Sequence, residues 1–218
     1  MTTIGQDAER NSPALSQQQL EDAVVDGRDL PGAQVDAIGA GTKGVGNGSV
    51  TAARRTNASP SLCAPVSAAV EGTSAYAPVA SVRRVAGTKG HSLILTLVSY
   101  RSADASQVMR ELRTSLKTCM GYQAGTGAMT MSYDDVEAIK APQQGDEGLA
   151  FRLKWVLDPG TDGLKSPVSV AILRHGSTLA IYKAVSTTPQ VPASVPSDLV
   201  HAQSKALNAA YDALLKSR

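Results

Sequence analysis

A chain of 218 residues with 42% hydrophobic content can bury one substantial core, and one domain is the expectation. Its net charge of +2 offers no basic field of the kind that non-specific nucleic-acid binding needs. One Phe, one Trp and six Tyr exclude a broad aromatic platform for stacked bases.

No apolar run approaches the roughly 18 residues that span a bilayer. The opening MTTIGQDAERNSPALS lacks the basic start and apolar middle of a signal peptide and reads as a flexible, tether-like segment over residues 1–13. Charge is unevenly spread. Residues 1–38 hold seven acids and two basic groups, and residues 43–117 hold ten basic groups and three acids. Such charges, distributed over several elements, read as solvated faces.

The first helix is signalled by LSQQQLEDAVV. Ser16 supplies a cap, Gln19 completes a capping box, and Leu15 with Leu20 has the spacing of a hydrophobic staple. Gly27, Pro31 and Gly32 stop the helix, and Ala33 to Ile38 reads as extended. Gly39, Gly41 and Gly44 then have the spacing of a dinucleotide fingerprint. That site needs a helix directly after the glycines and an acid about 20 residues on. Neither follows, since VGNGSVTAARRTNASPS has no helical period and no acid occurs before Glu71. Residues 39–60 therefore read as a flexible loop.

From Cys63 a short helical turn runs through APVSAAV, followed by the extended AYAPVASVRRVAG and a GTKG hairpin turn at 87–90. In HSLILTLVSY, Leu93, Leu95 and Leu97 point one way and Ile94, Thr96 and Val98 the other. Apolar residues on both faces predict a central strand covered on both sides. ADASQVMRELRTSLKTCMG predicts a helix with Asp104 and Gln107 as a capping box, Gly121 as a stop, and a stripe of Val108, Leu112, Leu116 and Cys119. Five extended runs follow: GAMTMSY, DVEAIKAP, GLAFRLKWVL, PVSVAIL and STLAIYKAV, the last two joined by a hairpin at RHG. Phe151, Leu153, Trp155 and Leu157 share a face, with Trp155 read as core. PSDLVHAQSKALNAAYDALLKSR closes the chain as an amphipathic helix through Leu199, Ala206, Ala210 and Leu214, with Pro196 in its first turn. The expected class is α+β, a largely antiparallel twisted sheet with helices packed on it, as one domain over residues 14–217.

No catalytic, metal or cofactor motif emerges. His91, His175 and His201 fall in a turn, a hairpin connection and the last helix, without HExxH or GxSxG, and read as ordinary surface or packed residues. The pairs Asp134–Asp135 and Asp146–Glu147 read as solvated acids, since a calcium loop needs more oxygen ligands. Cys63 and Cys119 have no zinc spacing. In a cytosolic protein Cys119 would be a buried thiol, and in an exported one the two would pair.

Taken in order, DLPG, LCAP, VSYRSADASQVMRELRTSLKTCMGY, YDDV, GDEGLAFRLKW, ILRHGSTLAIY and AQSKAL give the chain a resemblance to the PknH-type extracellular sensor domain, from about Leu15 to Leu214. That family occurs outside the membrane on mycobacterial receptor kinases and as free-standing actinobacterial lipoproteins and secreted proteins. The resemblance implies an antiparallel sheet with flanking helices, a cleft for an unidentified ligand, export, and a disulfide between Cys63 and Cys119. The kinase's domain has more cysteines, so a second bridge has no counterpart here, and the free-standing form is the nearer relative. No catalytic residues carry over.

The function expected is a non-catalytic, extracytoplasmic sensor-like, ligand-binding domain of a cell-surface lipoprotein, monomeric and held to the membrane only through a tether outside this sequence. Arg83, Arg84, Arg152 and Lys154 are the candidate contacts for an anionic ligand in the cleft. Alternation turns Arg152 and Lys154 away from the face of Trp155. The alternatives are an envelope protein-interaction domain with an exposed apolar surface and a hydrolase, which would need His175 or His201 beside a nucleophile and an acid.

Overall fold

The computed structural model describes residues 12–25, 57–88, 90–126, 129–157, 164–189 and 191–217. The expected strand from Ala33 to Ile38, the glycine cluster at 39–44 and most of the 1–13 and 39–60 segments lie outside them. Helix α1 (Gln17–Ala23) begins as its sequence predicts. Ser16 Oγ accepts from Gln19 N, and the Gln19 side chain accepts from Ser16 N. Leu15 and Leu20 are fully buried, contributing about 2 kcal/mol each by removal from water. Strand β1 (Ala58–Ser59) leads through a 3-10 turn at Ser61–Cys63 into α2 (Ala64–Glu71).

The remaining elements are β2 (Ala80–Thr88), β3 (His91–Ser99), α3 (Ser102–Ser115), β4 (Tyr122–Thr126), β5 (Met129–Ile139), β6 (Glu147–Val156), β7 (Lys165–His175), β8 (Thr178–Ser186) and α4 (Ser197–Lys216). Among the described residues, eight strands form one open antiparallel sheet in the order β1-β4-β5-β6-β7-β8-β3-β2. The β4 to β8 run is a meander. Because β3 and β4 are separated by four strands, α3 carries the chain back across the sheet and packs on it.

Alternation sorts the sheet residues into two cores. Val98, Phe151, Leu153, Val168, Val170, Ile172, Leu179 and Ile181 pack beneath α2 and α3. Leu93, Leu95, Leu97, Ala171, Leu173 and Tyr182 pack against α1 and α4. The double-sided apolar pattern of β3 thus reflects helices on both faces, and β3 lies between β8 and β2. Cys63 and Cys119 form a disulfide that joins the start of α2 to the turn after α3.

Several local expectations change. The runs expected as two strands join over Met129–Ile139 into one, β5, whose register shifts between Asp134 and Glu137 where Asp135 has φ 54°. A bulge absorbs the acidic pair that otherwise reads as a break. Helix α3 starts at Ser102 with Arg101 as its cap and no side-chain cap bond, which places Asp104 inside the first turn near the positive end of the helix dipole. The buried stripe of α3 is Ala105, Met109 and Leu112, with Val108 and Leu116 at its edge. In α4, Leu199, Val200, Gln203, Ser204 and Leu207 are buried and Pro196 is the cap residue. Strand β4, at the beginning of the meander, had no alternating apolar pattern to announce it.

Candidate functional site

The pocket between α2, α3 and the sheet follows from side-chain size. Helix α2 turns Ala64, Pro65, Ala68 and Ala69 toward α3, and such short side chains leave space that Leu or Phe would fill. The resulting cavity is about 590 Å³, with Ile172, Leu179 and Ile181 as its floor and Val108 and Leu112 as the α3 wall. The disulfide anchors the first turn of α2 to the chain after α3 and so ties the two walls together.

The polar lining is Thr73 and Ser74, both buried, with Tyr76 and Glu111 half-buried at the mouth. The Tyr76 hydroxyl donates to Glu111 Oε1 at 2.5 Å, and Gln107 Nε2 donates to the same oxygen at 2.9 Å. Ser74 Oγ accepts from Tyr76 N at 3.1 Å, a local turn that orients the ring. The carboxylate of Glu111, through this hydrogen bond, raises the Tyr76 pKa above the ordinary phenol value, with burial adding to the effect. The mouth therefore presents a carboxylate with two committed donors over an apolar interior.

A second polar group lies at the carboxyl end of α2. Gly72 takes φ 70°, and the N–H groups of Gly72 and Thr73 return to Ala69 and Ala68 carbonyls in a Schellman arrangement. A Cβ on Gly72 would fall 2.9 Å from both Arg83 Nη2 and Thr96 Oγ1, so the glycine admits the guanidinium against the helix end. Arg83 Nε donates to Thr96 Oγ1 at 3.2 Å and Nη2 donates to the Glu71 carbonyl. On the same face, Tyr122 and Tyr133 stack with centroids 4.9 Å apart. Burial pushes the Tyr133 phenol up to about 12, and that of Tyr122 also upward.

The structure separates the four cations expected to meet a ligand. Arg83 faces the α2–α3 side. Arg84 alternates to the α1–α4 side, where its Nη1 donates to the Arg83 carbonyl. Arg152 and Lys154 stand on that opposite side as well, exposed, paired with Glu137 at 2.6 Å and Asp135 at 2.8 Å. None of the four lines the pocket: Arg83 stands past the carboxyl end of α2, and alternation puts the other three on the opposite side of the sheet, where carboxylates on β5 hold Arg152 and Lys154. Residues that sequence reasoning did not single out, Tyr76, Glu111 and the α2 alanines, form the mouth and wall instead.

The acidic pairs also change role. Asp134 pairs with Lys165, while Asp146 and Glu147 both hold Arg174, whose side chain is only 8% exposed. His175 is buried, with Nδ1 3.0 Å from Asn208 Oδ1 and the ring against Gly145. His201 is exposed on α4, and His91 Nε2 meets the Pro192 carbonyl at 3.1 Å. Among the described residues, neither His175 nor His201 is hydrogen-bonded to a nucleophile, and no group of three or more His, Cys, Asp or Glu is placed to hold a metal ion. No described helix is long and apolar enough to cross a membrane.

The sequence matches no family model and no curated protein. Among solved structures, the extracellular domain of PknH from Mycobacterium tuberculosis superposes on 92% of this chain and 99% of its own, with a TM-score of 0.57. The fold is that of the PknH extracellular domain. Sequence identity with PknH is 8%, so what the two share is the fold. An Rv0999 ortholog from Mycobacterium smegmatis overlaps more loosely, at a TM-score of 0.36 and 15% identity over 72% of this chain and 75% of that one.

Proposed function

We propose that this protein is a non-catalytic, sensor-like domain that works outside the cytoplasmic membrane and binds a small molecule between α2, α3 and the sheet. The observation that carries this reading is the cavity of about 590 Å³, an apolar space capped by the Tyr76–Glu111 hydrogen bond. Its size and lining are those of small-molecule sites, largely apolar with a few converging polar groups. The ligand has an apolar body and a hydrogen-bond donor that meets Glu111. The Cys63–Cys119 disulfide supports an oxidising, extracytoplasmic setting, as does the fold shared with an extracellular domain. In the native setting a tether holds the monomeric domain to the outer face of the cytoplasmic membrane.

Native mass spectrometry of protein purified gently from an actinobacterial host tests the reading. The expected result is a reproducible extra mass that leaves on denaturation and is absent from Ala75→Trp, which places a large ring at the exposed rim of the pocket. Protein at its bare mass would refute a retained small ligand.

Leu62 and Met120, 48% and 72% exposed, flank the two cysteines of one bond and favour a second reading. There, an envelope protein docks on an apolar patch around the disulfide. Bare mass together with retention of a partner protein that Met120→Glu abolishes would select this reading.

A further inference from the structure

Lys183 stands within β8 on the face that carries α2 and α3. Its register neighbours are Ile94 on β3 and Val170 on β7, and Ile181 and Val185 flank it along its own strand. Alternation puts these four aliphatic side chains and the lysine on one surface. Among the described residues the Lys183 ammonium makes no hydrogen bond and no ion pair, and its side chain is only partly exposed.

Arg83 stands on the same surface, held by Thr96 Oγ1 and the Glu71 carbonyl as described above. Arg83 faces Thr96 across β2 and β3, and Thr96 faces Ile181 across β3 and β8, so Arg83 and Lys183 stand two strands apart and one side-chain step along on the same surface, with Glu71 at the helix end that Arg83 holds and in an ion pair with neither. Burial lowers the Lys183 pKa and Arg83 lowers it further, while Glu71 opposes both. Two cations and one carboxylate leave a net positive charge in an aliphatic setting. A lone ammonium among such neighbours is a local conflict of the kind kept where a ligand resolves it.

We propose that Lys183 and Arg83 form a binding site for the carboxylate group of a small ligand. The carboxylate accepts from Lys183 Nζ and from the Arg83 N–H groups that Thr96 and Glu71 leave uncommitted. Arg83 is preorganised by its two hydrogen bonds, so binding orders one side chain, that of Lys183. The net charge of the three groups matches a monoanion, and Glu71 disfavours a dianion. This site is separate from the α2–α3 pocket, and its failure leaves that pocket's role untouched.

Acetate and inorganic phosphate, titrated at fixed ionic strength, are the probes, read by lysine 13Cε resonances and by melting temperature. Acetate is expected to shift the Lys183 resonance saturably and to raise the melting temperature, with phosphate dianion weaker. Lys183→Met should melt above the wild type without ligand, because it removes the unpaired charge, and should bind acetate at least tenfold more weakly. Lys117→Met, which removes an exposed cation after α3, should behave as wild type. Ala75→Trp should bind acetate normally. A Lys183 resonance indifferent to acetate, acetate stabilisation that survives Lys183→Met, or a Lys183→Met protein less stable than wild type would each overturn the proposal.

Discussion

Replacing both Cys63 and Cys119 with Ala should cost about 4 kcal/mol of stability. The bond closes a loop with a sequence separation of 56, and the loss of loop-closure entropy from the unfolded chain at that length comes to about 4 kcal/mol in the chain-entropy model. Both positions are fully buried beside Val66, Met109 and Leu112, so alanine introduces no polar group into the core. With a urea m-value of about 2 kcal/mol/M, the unfolding midpoint should fall by about 2 M. Equilibrium urea denaturation followed by tryptophan fluorescence measures it, because Trp155 packs against the same core. The bond also ties the two walls of the pocket, so the variant should lose its retained ligand under conditions where it remains folded. A midpoint shift below about 0.5 M would refute the loop-entropy argument, and unchanged ligand retention would refute the claim that the bond maintains the pocket.

Arg174→Met should destabilise the protein by about 2 kcal/mol, since it removes a buried guanidinium that holds Asp146 and Glu147, while Glu147 keeps Arg113 and Asp146 keeps the Gly176 N–H; urea denaturation checks this, and a loss under about 0.5 kcal/mol would contradict it. Burial holds His175 below the ordinary imidazole range, against the opposing hydrogen bond with Asn208. The unfolded chain therefore takes up this proton first. The stability contribution is complete above about pH 6.5 and declines as the pH falls toward the folded-state value, with a slope of up to about 1.4 kcal/mol per pH unit. His175→Gln should remove that part of the acid limb in denaturation curves taken across pH. Glu111→Gln should bring the Tyr76 phenol down toward its ordinary value in an alkaline ultraviolet titration, because Glu111 is the principal cause of its elevation. Gly145→Ala should lower the melting temperature by several degrees. Gly145 has φ 76°, and its Cβ would lie 2.5 Å from the Arg174 carbonyl oxygen.

Local chemistry settled much of the secondary structure without reference to the rest of the chain. Ser16, Gln19, Leu15 and Leu20 announce α1 because a capping box and a staple are contacts between residues within one turn. The alternating apolar residues of β3 announce helices on both faces, since burial on each side demands it. The β7–β8 hairpin and the α+β class follow from equally short-range signals, although the turn falls at Gly176–Ser177 and Arg174 and His175, expected in the connection, belong to β7. Beyond these, tertiary structure decided. Asp134 and Asp135 look like a turn until β6 supplies Lys154 and β7 supplies Lys165, and β5 then runs on through a bulge. Arg83 and Arg152 are equivalent as isolated cations. One lies against a helix end and the other against a carboxylate on a neighbouring strand, a distinction created by sheet register. The pocket is a still less local property, because alanines on α2 signify space only once α3 stands across from them. Lys183 lies in a predicted strand, and its conflict arises from Val170 on the preceding hairpin strand together with Ile94, contributed by β3 far away in the chain. Sequence by itself thus determined the elements and their faces, whose causes lie within a few residues; the site depended on long-range pairings that bring distant side chains within a few ångströms.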